Sequence, residues 1–126
     1  MKRDMDKIRS ILAILEDCDG LPDFRSLLTD TFTVRNLSYQ LYLIHDAGLA
    51  IGIEQSNLGG GDFPFVILTH LTNAGHDFLE ASRNDSQWNK AKQAAISSGA
   101  GLTLNILTQT LGLFAMGAVE TWVRGR

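Results

Sequence analysis

Apolar residues along this 126-residue chain recur first at three- and four-residue intervals, then at two, then at three and four again. Met5, Ile8, Ile11, Leu12 and Leu15 form one helical face. They predict a first helix over Asp4–Asp17, capped by Asp4 and ended by Cys18–Pro22. Phe24, Leu27 and Leu28 predict a short second helix within Asp23–Thr33, capped by Asp23 and closed by Thr29, Asp30 and Thr31. A third helix is predicted over Val34–Ala47, with Val34, Leu37, Leu41 and Ile44 on its inner side. Arg35, Ser38, Tyr39, Tyr42 and Asp46 fall on the opposite side, and His45 lies at the edge. Gly48 suits the left-handed residue that ends a helix.

From there the period shortens. Leu49–Glu54 and Phe63–Leu68 read as two strands, joined by Ser56–Asp62 with Gly59, Gly60 and Gly61 at its tip. Thr72 or Asn73 caps a further helix carrying Phe78 and Leu79, and Asn84-Asp85 interrupts or restarts it. Trp88, Ala91, Ala95 and Ile96 then form an apolar side, and a joint at Ser97–Gly101 leads to a last helix over about Leu102–Val123. The expected fold class is α+β, mostly helical, in two parts: residues 1–82 as a compact domain and 83–126 as a C-terminal helical extension.

Helix, short helix, helix, hairpin and helix in that order resemble a winged helix-turn-helix domain. The Ser38–Leu49 stretch resembles the recognition helix of small bacterial repressors, and Leu71–Leu79 resembles the segment that follows the wing in such proteins. A closer resemblance spans nearly the whole chain. Met1–Asp6, Ala47-Gly48-Leu49, Gly75–Leu79, Arg83-Asn84-Asp85, Trp88 and Lys92 resemble an uncharacterised family of short phage and prophage proteins. Gln40 departs from that pattern, where histidine is common. The resemblance implies a bacterial cytoplasm and a phage-linked origin, and supplies no chemistry.

On the winged-helix reading, Arg35, Ser38, Tyr39, Gln40 and Tyr42 are the candidate DNA contacts and Gly59, Gly60 and Gly61 the wing tip. Arginine pairs bidentately with guanine, and hydroxyls and amides hold phosphates or base edges. Lys2, Arg3, Lys7 and Arg9, or Arg83, Lys90 and Lys92, would add cationic charge. A solvated helix face with packed tyrosines is the plainer alternative. The net charge of −3 lowers the expectation of a dedicated nucleic-acid binder. The glycine run lacks the Gly-Lys-Ser/Thr ending of a phosphate loop. His45, His70 and His76 have no usual ligand spacing, and a single cysteine, Cys18, makes neither a disulfide nor a cysteine-pair zinc site. No catalytic, metal or cofactor site is expected, and no apolar segment behind Met1–Asp4 suggests export.

Between Gln93 and Val119 the chain carries no charged residue. That length would span a bilayer, but Asn105, Thr108, Gln109, Thr110 and four glycines interrupt it. Leu104, Leu107, Leu111, Phe114, Ala118 and Trp122 form a one-sided stripe, which favours packing against protein. A homodimer through this stripe is the leading expectation. Three functions of different class remain: a dimeric DNA-binding regulator, a module that binds a host or phage protein, and a membrane-associated protein.

Overall fold

The computed structural model describes residues 1–55 and 62–97. Its elements are α1 (Met5–Asp17), a 3-10 turn (Arg25–Leu27), α2 (Val34–Asp46), β1 (Ala50–Gln55), β2 (Phe65–Leu71), α3 (Asn73–Ser82) and α4 (Asp85–Ser97). The described fold is α+β and mostly helical. The chain divides into two compact units, Met1–Leu79 and Glu80–Arg126.

In the first unit α1, α2 and a two-stranded antiparallel sheet contact one another. The Asp4 carboxylate accepts from the Lys7 N–H (3.1 Å) and caps α1. Met5, Ile8, Ile11, Leu12 and Leu15 are all buried, as their spacing predicts. Each such side chain contributes about 2 kcal/mol by leaving water. Leu41 and Ile44 of α2 join this core with Val66 and Leu68 of the sheet. Val34 does not: it is 64% exposed, because it is the first residue of α2, beyond the reach of the core.

The second helix is absent. One 3-10 turn stands in its place, with Phe24 and Phe32 buried at either side. Side chains occupy the backbone groups a helix would use. Asp23 Oδ1 accepts from the Arg25 N–H (3.0 Å), and Thr29 Oγ1 accepts from the Phe32 N–H (3.0 Å). Arg25 also grips the Asp23 carboxylate directly and holds its pKa down at about 2.

α2 opens on a reciprocal cap between Thr33 and Asn36 and closes on Gly48, whose φ is +76°. The Gly48 N–H donates to the His45 carbonyl (3.0 Å) and the Leu49 N–H to the Ile44 carbonyl (3.1 Å). That pair of bonds is the Schellman arrangement. Leu49 is buried and β1 begins one residue later. Thr72, at the far end of the sheet, clamps the same point. Its hydroxyl donates to the Gly48 carbonyl (2.6 Å) and its N–H to the Leu49 carbonyl (3.0 Å). The same hydroxyl accepts from the Gly75 N–H (3.1 Å) and so caps α3. A Cβ on Gly75 would run into the Leu49 carbonyl, so α3 approaches the start of β1 as only glycine permits.

Ala50 pairs with Leu71, Ile51 with His70 and Gly52 with Leu68, which leaves Thr69 as a bulge. The inward face holds Ala50, Val66 and Leu68, whereas Ile51, Ile53 and Phe65 are exposed. β2 starts at Phe65 and not at Phe63, because Pro64 has no N–H for the ladder. Gly59, Gly60 and Gly61 lie outside the described residues, as do Leu104, Leu107, Leu111, Phe114, Ala118 and Trp122.

In the second unit, Asn84 accepts from the Gln87 N–H (3.0 Å) and restarts the helix as α4. Trp88 and Ala91 are buried, Ile96 is exposed, and the side chain of Ala95 lies outside the described set.

Candidate nucleic-acid interface

The outward side of α2 carries a cluster that spacing alone does not reveal. Phe63, just before β2, folds back onto the helix. Its ring centroid lies 5.2 Å from that of Tyr39 and 5.7 Å from that of Tyr42, and the two tyrosines stack at 6.3 Å. Contacts of this kind add about 1 kcal/mol beyond area burial. Both tyrosines are half-buried as a result. The Arg35 guanidinium sits 5.9 Å from the Phe63 ring centroid and donates to Asp62 Oδ2 (2.8 Å). Met1, Arg35, Tyr39, Asp62 and Phe63 together line an open cavity of about 250 Å³.

Of the predicted contacts, Arg35 is exposed, whereas Ser38, Tyr39 and Tyr42 are half-buried on the same side. Gln40 is not on that face. It is 1% exposed. Its amide donates to the Lys2 carbonyl (2.9 Å) and accepts from the Asp4 N–H (2.9 Å), so the side chain is turned into the protein and away from any base outside it. The helical period marks this position, since Gln40 lies three residues after Leu37 and four before Ile44. The winged-helix resemblance made it a candidate contact, while its place in the period assigns it inward. Through these two bonds Gln40 fastens the Lys2–Asp4 backbone to α2.

Arg35 is the one Lys or Arg of α2. The first unit carries six Lys and Arg against eleven Asp and Glu, a formal charge of −5. Lys7 lies over the Phe32 ring (5.0 Å). In the second unit Arg83 pairs with Glu80 (3.3 Å) and Lys92 lies over Trp88 (5.6 Å), so two of that group's cations are engaged locally.

The histidines are spread apart. His45 Nδ1 is 3.6 Å from a Glu54 oxygen and His76 Nδ1 is 3.7 Å from a Glu16 oxygen. Among the described residues no group of three or more His, Cys, Asp or Glu could hold a metal ion. Cys18, Asp19, Gly20, Leu21, Thr69 and His70 line a second open cavity of about 270 Å³. Among the same residues no helix is long and apolar enough to cross a membrane.

Residues 2–101 match the family described as "Hypothetical protein (DUF2513)". The chain belongs to that family. It is also similar to an "Uncharacterized protein" of Haemophilus influenzae (strain ATCC 51907 / DSM 11121 / KW20 / Rd). The two are 38% identical over 112 residues, which cover 86% of this chain and 91% of that protein. No solved structure matches. The matched family region takes in α1 through α4, and therefore the whole Arg35–Phe63 cluster.

Proposed function

We propose that the chain is a winged-helix protein of phage or prophage origin that binds duplex DNA as a dimer. The observation that carries this reading is the outward face of α2, where exposed Arg35 stands beside Tyr39 and Tyr42. Gln40 anchors the Lys2–Asp4 backbone beside the helix that bears Arg35, while the far end of the same helix turns through Gly48 into a hairpin. Phosphate affinity comes from exposed cations, and a helix flanked by a hairpin is the shape that enters a major groove. The phage origin rests on the sequence resemblance at Met1–Asp6, Gly75–Leu79 and Arg83-Asn84-Asp85. The dimer rests on the sequence alone, on the apolar stripe of Leu104, Leu107, Leu111, Phe114, Ala118 and Trp122 at helical spacing.

The test is selection of the purified full-length protein from a randomised duplex pool at physiological salt. A two-fold symmetric motif is expected. Arg35→Ala should weaken binding to it by about tenfold. Absence of any enriched motif overturns the reading.

A second reading, a module that docks on a host or phage protein, is favoured by a different observation. Ile51, Ile53 and Phe65 form an exposed apolar side of the hairpin on a unit of charge −5. A stable complex that survives purification and is lost on Ile53→Asp would replace the DNA reading.

A further inference from the structure

The groups packed against α2 have a chemistry of their own. Asp62 presents a carboxylate to Arg35, and the next residue, Phe63, presents a flat ring to Tyr39 and Tyr42. An anion followed at once by a planar apolar group is also what a nucleotide offers. We infer that Asp62-Phe63 is an internal competitor, seated on the part of α2 that duplex DNA must reach, and that DNA binds by displacing it. The inference rests on the DNA-binding reading above and adds what controls access to that surface.

Three observations bear it. The Arg35–Asp62 ion pair joins two side chains that are 59% and 81% exposed. A pair so exposed is worth at most about 1 kcal/mol, so phosphate in its place replaces it at little cost. Phe63 belongs to neither strand, so its removal from the tyrosines breaks no ladder bond. The cavity beside it, about 250 Å³, is lined by Arg35 and Tyr39 as well as by Asp62 and Phe63, and so opens directly onto the helix. Once Asp62 is displaced, Arg35 is released to phosphate or guanine, and the tyrosine hydroxyls and rings line the same contact.

The competitor is tested with the full-length protein and a fluorescein-labelled duplex of mixed sequence, titrated at low and at physiological salt. Asp62→Asn removes the carboxylate and keeps the size. It also removes a negative charge, which favours any polyanion, so Asp30→Asn, an exposed change of equal charge at a residue that does not line the Arg35 cavity, serves as the control. Asp62→Asn is expected to tighten binding by about three- to fivefold and Asp30→Asn by less than about twofold. In an Arg35→Ala background the two should become equal, because the arginine that Asp62 withholds is gone. Phe63→Ala should tighten binding by a further few-fold. If the wild-type protein binds and Asp62→Asn behaves like Asp30→Asn, the internal competitor is wrong and the DNA reading stands. If neither the wild-type protein nor Asp62→Asn binds the duplex at low salt, both fall together.

Discussion

The two ends of α2 are held in opposite ways. At its C-terminal end, Gly48, Leu49, Thr72 and Gly75 meet through backbone carbonyls, one hydroxyl and a glycine too close to another chain segment to bear a Cβ. At its N-terminal end, Arg35, Asp62, Phe63 and the two tyrosines meet through side chains alone, and the ion pair among them is open to solvent. The first end has no alternative arrangement within reach, since a moved carbonyl there would lose its bond. The second can exchange partners at small cost. A helix face built this way has a fixed frame and side-chain contacts that can exchange.

The sharpest way to break the first end is Gly75→Ala. The added Cβ meets the Leu49 carbonyl, which Thr72 holds in place, so neither side can yield. A loss of about 3 kcal/mol is expected, read as a lower denaturant midpoint at unchanged slope. Gln40→Leu comes next. It keeps the volume but strands the Asp4 N–H and the Lys2 carbonyl, at a cost of about 2 kcal/mol. On the DNA-binding reading it should also weaken DNA binding by freeing the Lys2–Asp4 backbone from α2, a change that Leu41→Ala, equally destabilising, would not produce in the folded protein. Gly48→Ala sharpens the comparison, because nothing lies within 4 Å of its Cβ. Its cost is conformational alone, about 1 kcal/mol for a left-handed alanine.

The smallest effect concerns another exposed pair. The Arg25 guanidinium and N–H beside Asp23 depress its carboxyl from the ordinary 3.8 to about 2. With the folded pKa below the unfolded one, the pair stabilises the 3-10 turn above pH 3.8, and that stabilisation fades as pH falls through about 2. A carboxyl titration followed by NMR should show the midpoint near 2 and return it to the ordinary value in Arg25→Ala.

Much of the frame was legible in the sequence. The five buried residues of α1, the Ala47-Gly48-Leu49 turn and the Thr72 cap each follow from spacing or from a backbone need that one residue type meets. Three features were harder to read. The second helix failed where Asp23 and Thr29 took local backbone partners, a competition that apolar spacing does not register. Gln40, a candidate contact on the winged-helix reading, is buried, and only its place in the helical period signals this. Phe63 looked like the first strand residue, and only Pro64 after it signals that the ladder starts later. The cluster on α2 is made by residues 27 positions apart in the chain, Arg35 and Asp62, and no local pattern announces such a meeting.

The bonds from Thr72 to Gly48 and Leu49 also close a ring of chain. The strands within that ring pack Ala50, Val66 and Leu68 into the core, and the length of the connection between them is not fixed by that packing. Loop-closure entropy grows only with the logarithm of length, so doubling the hairpin connection would cost about 0.6 kcal/mol. The fold can therefore accept insertions between its strands at little energetic cost, with the closure at Thr72, Gly48 and Leu49 left as it is.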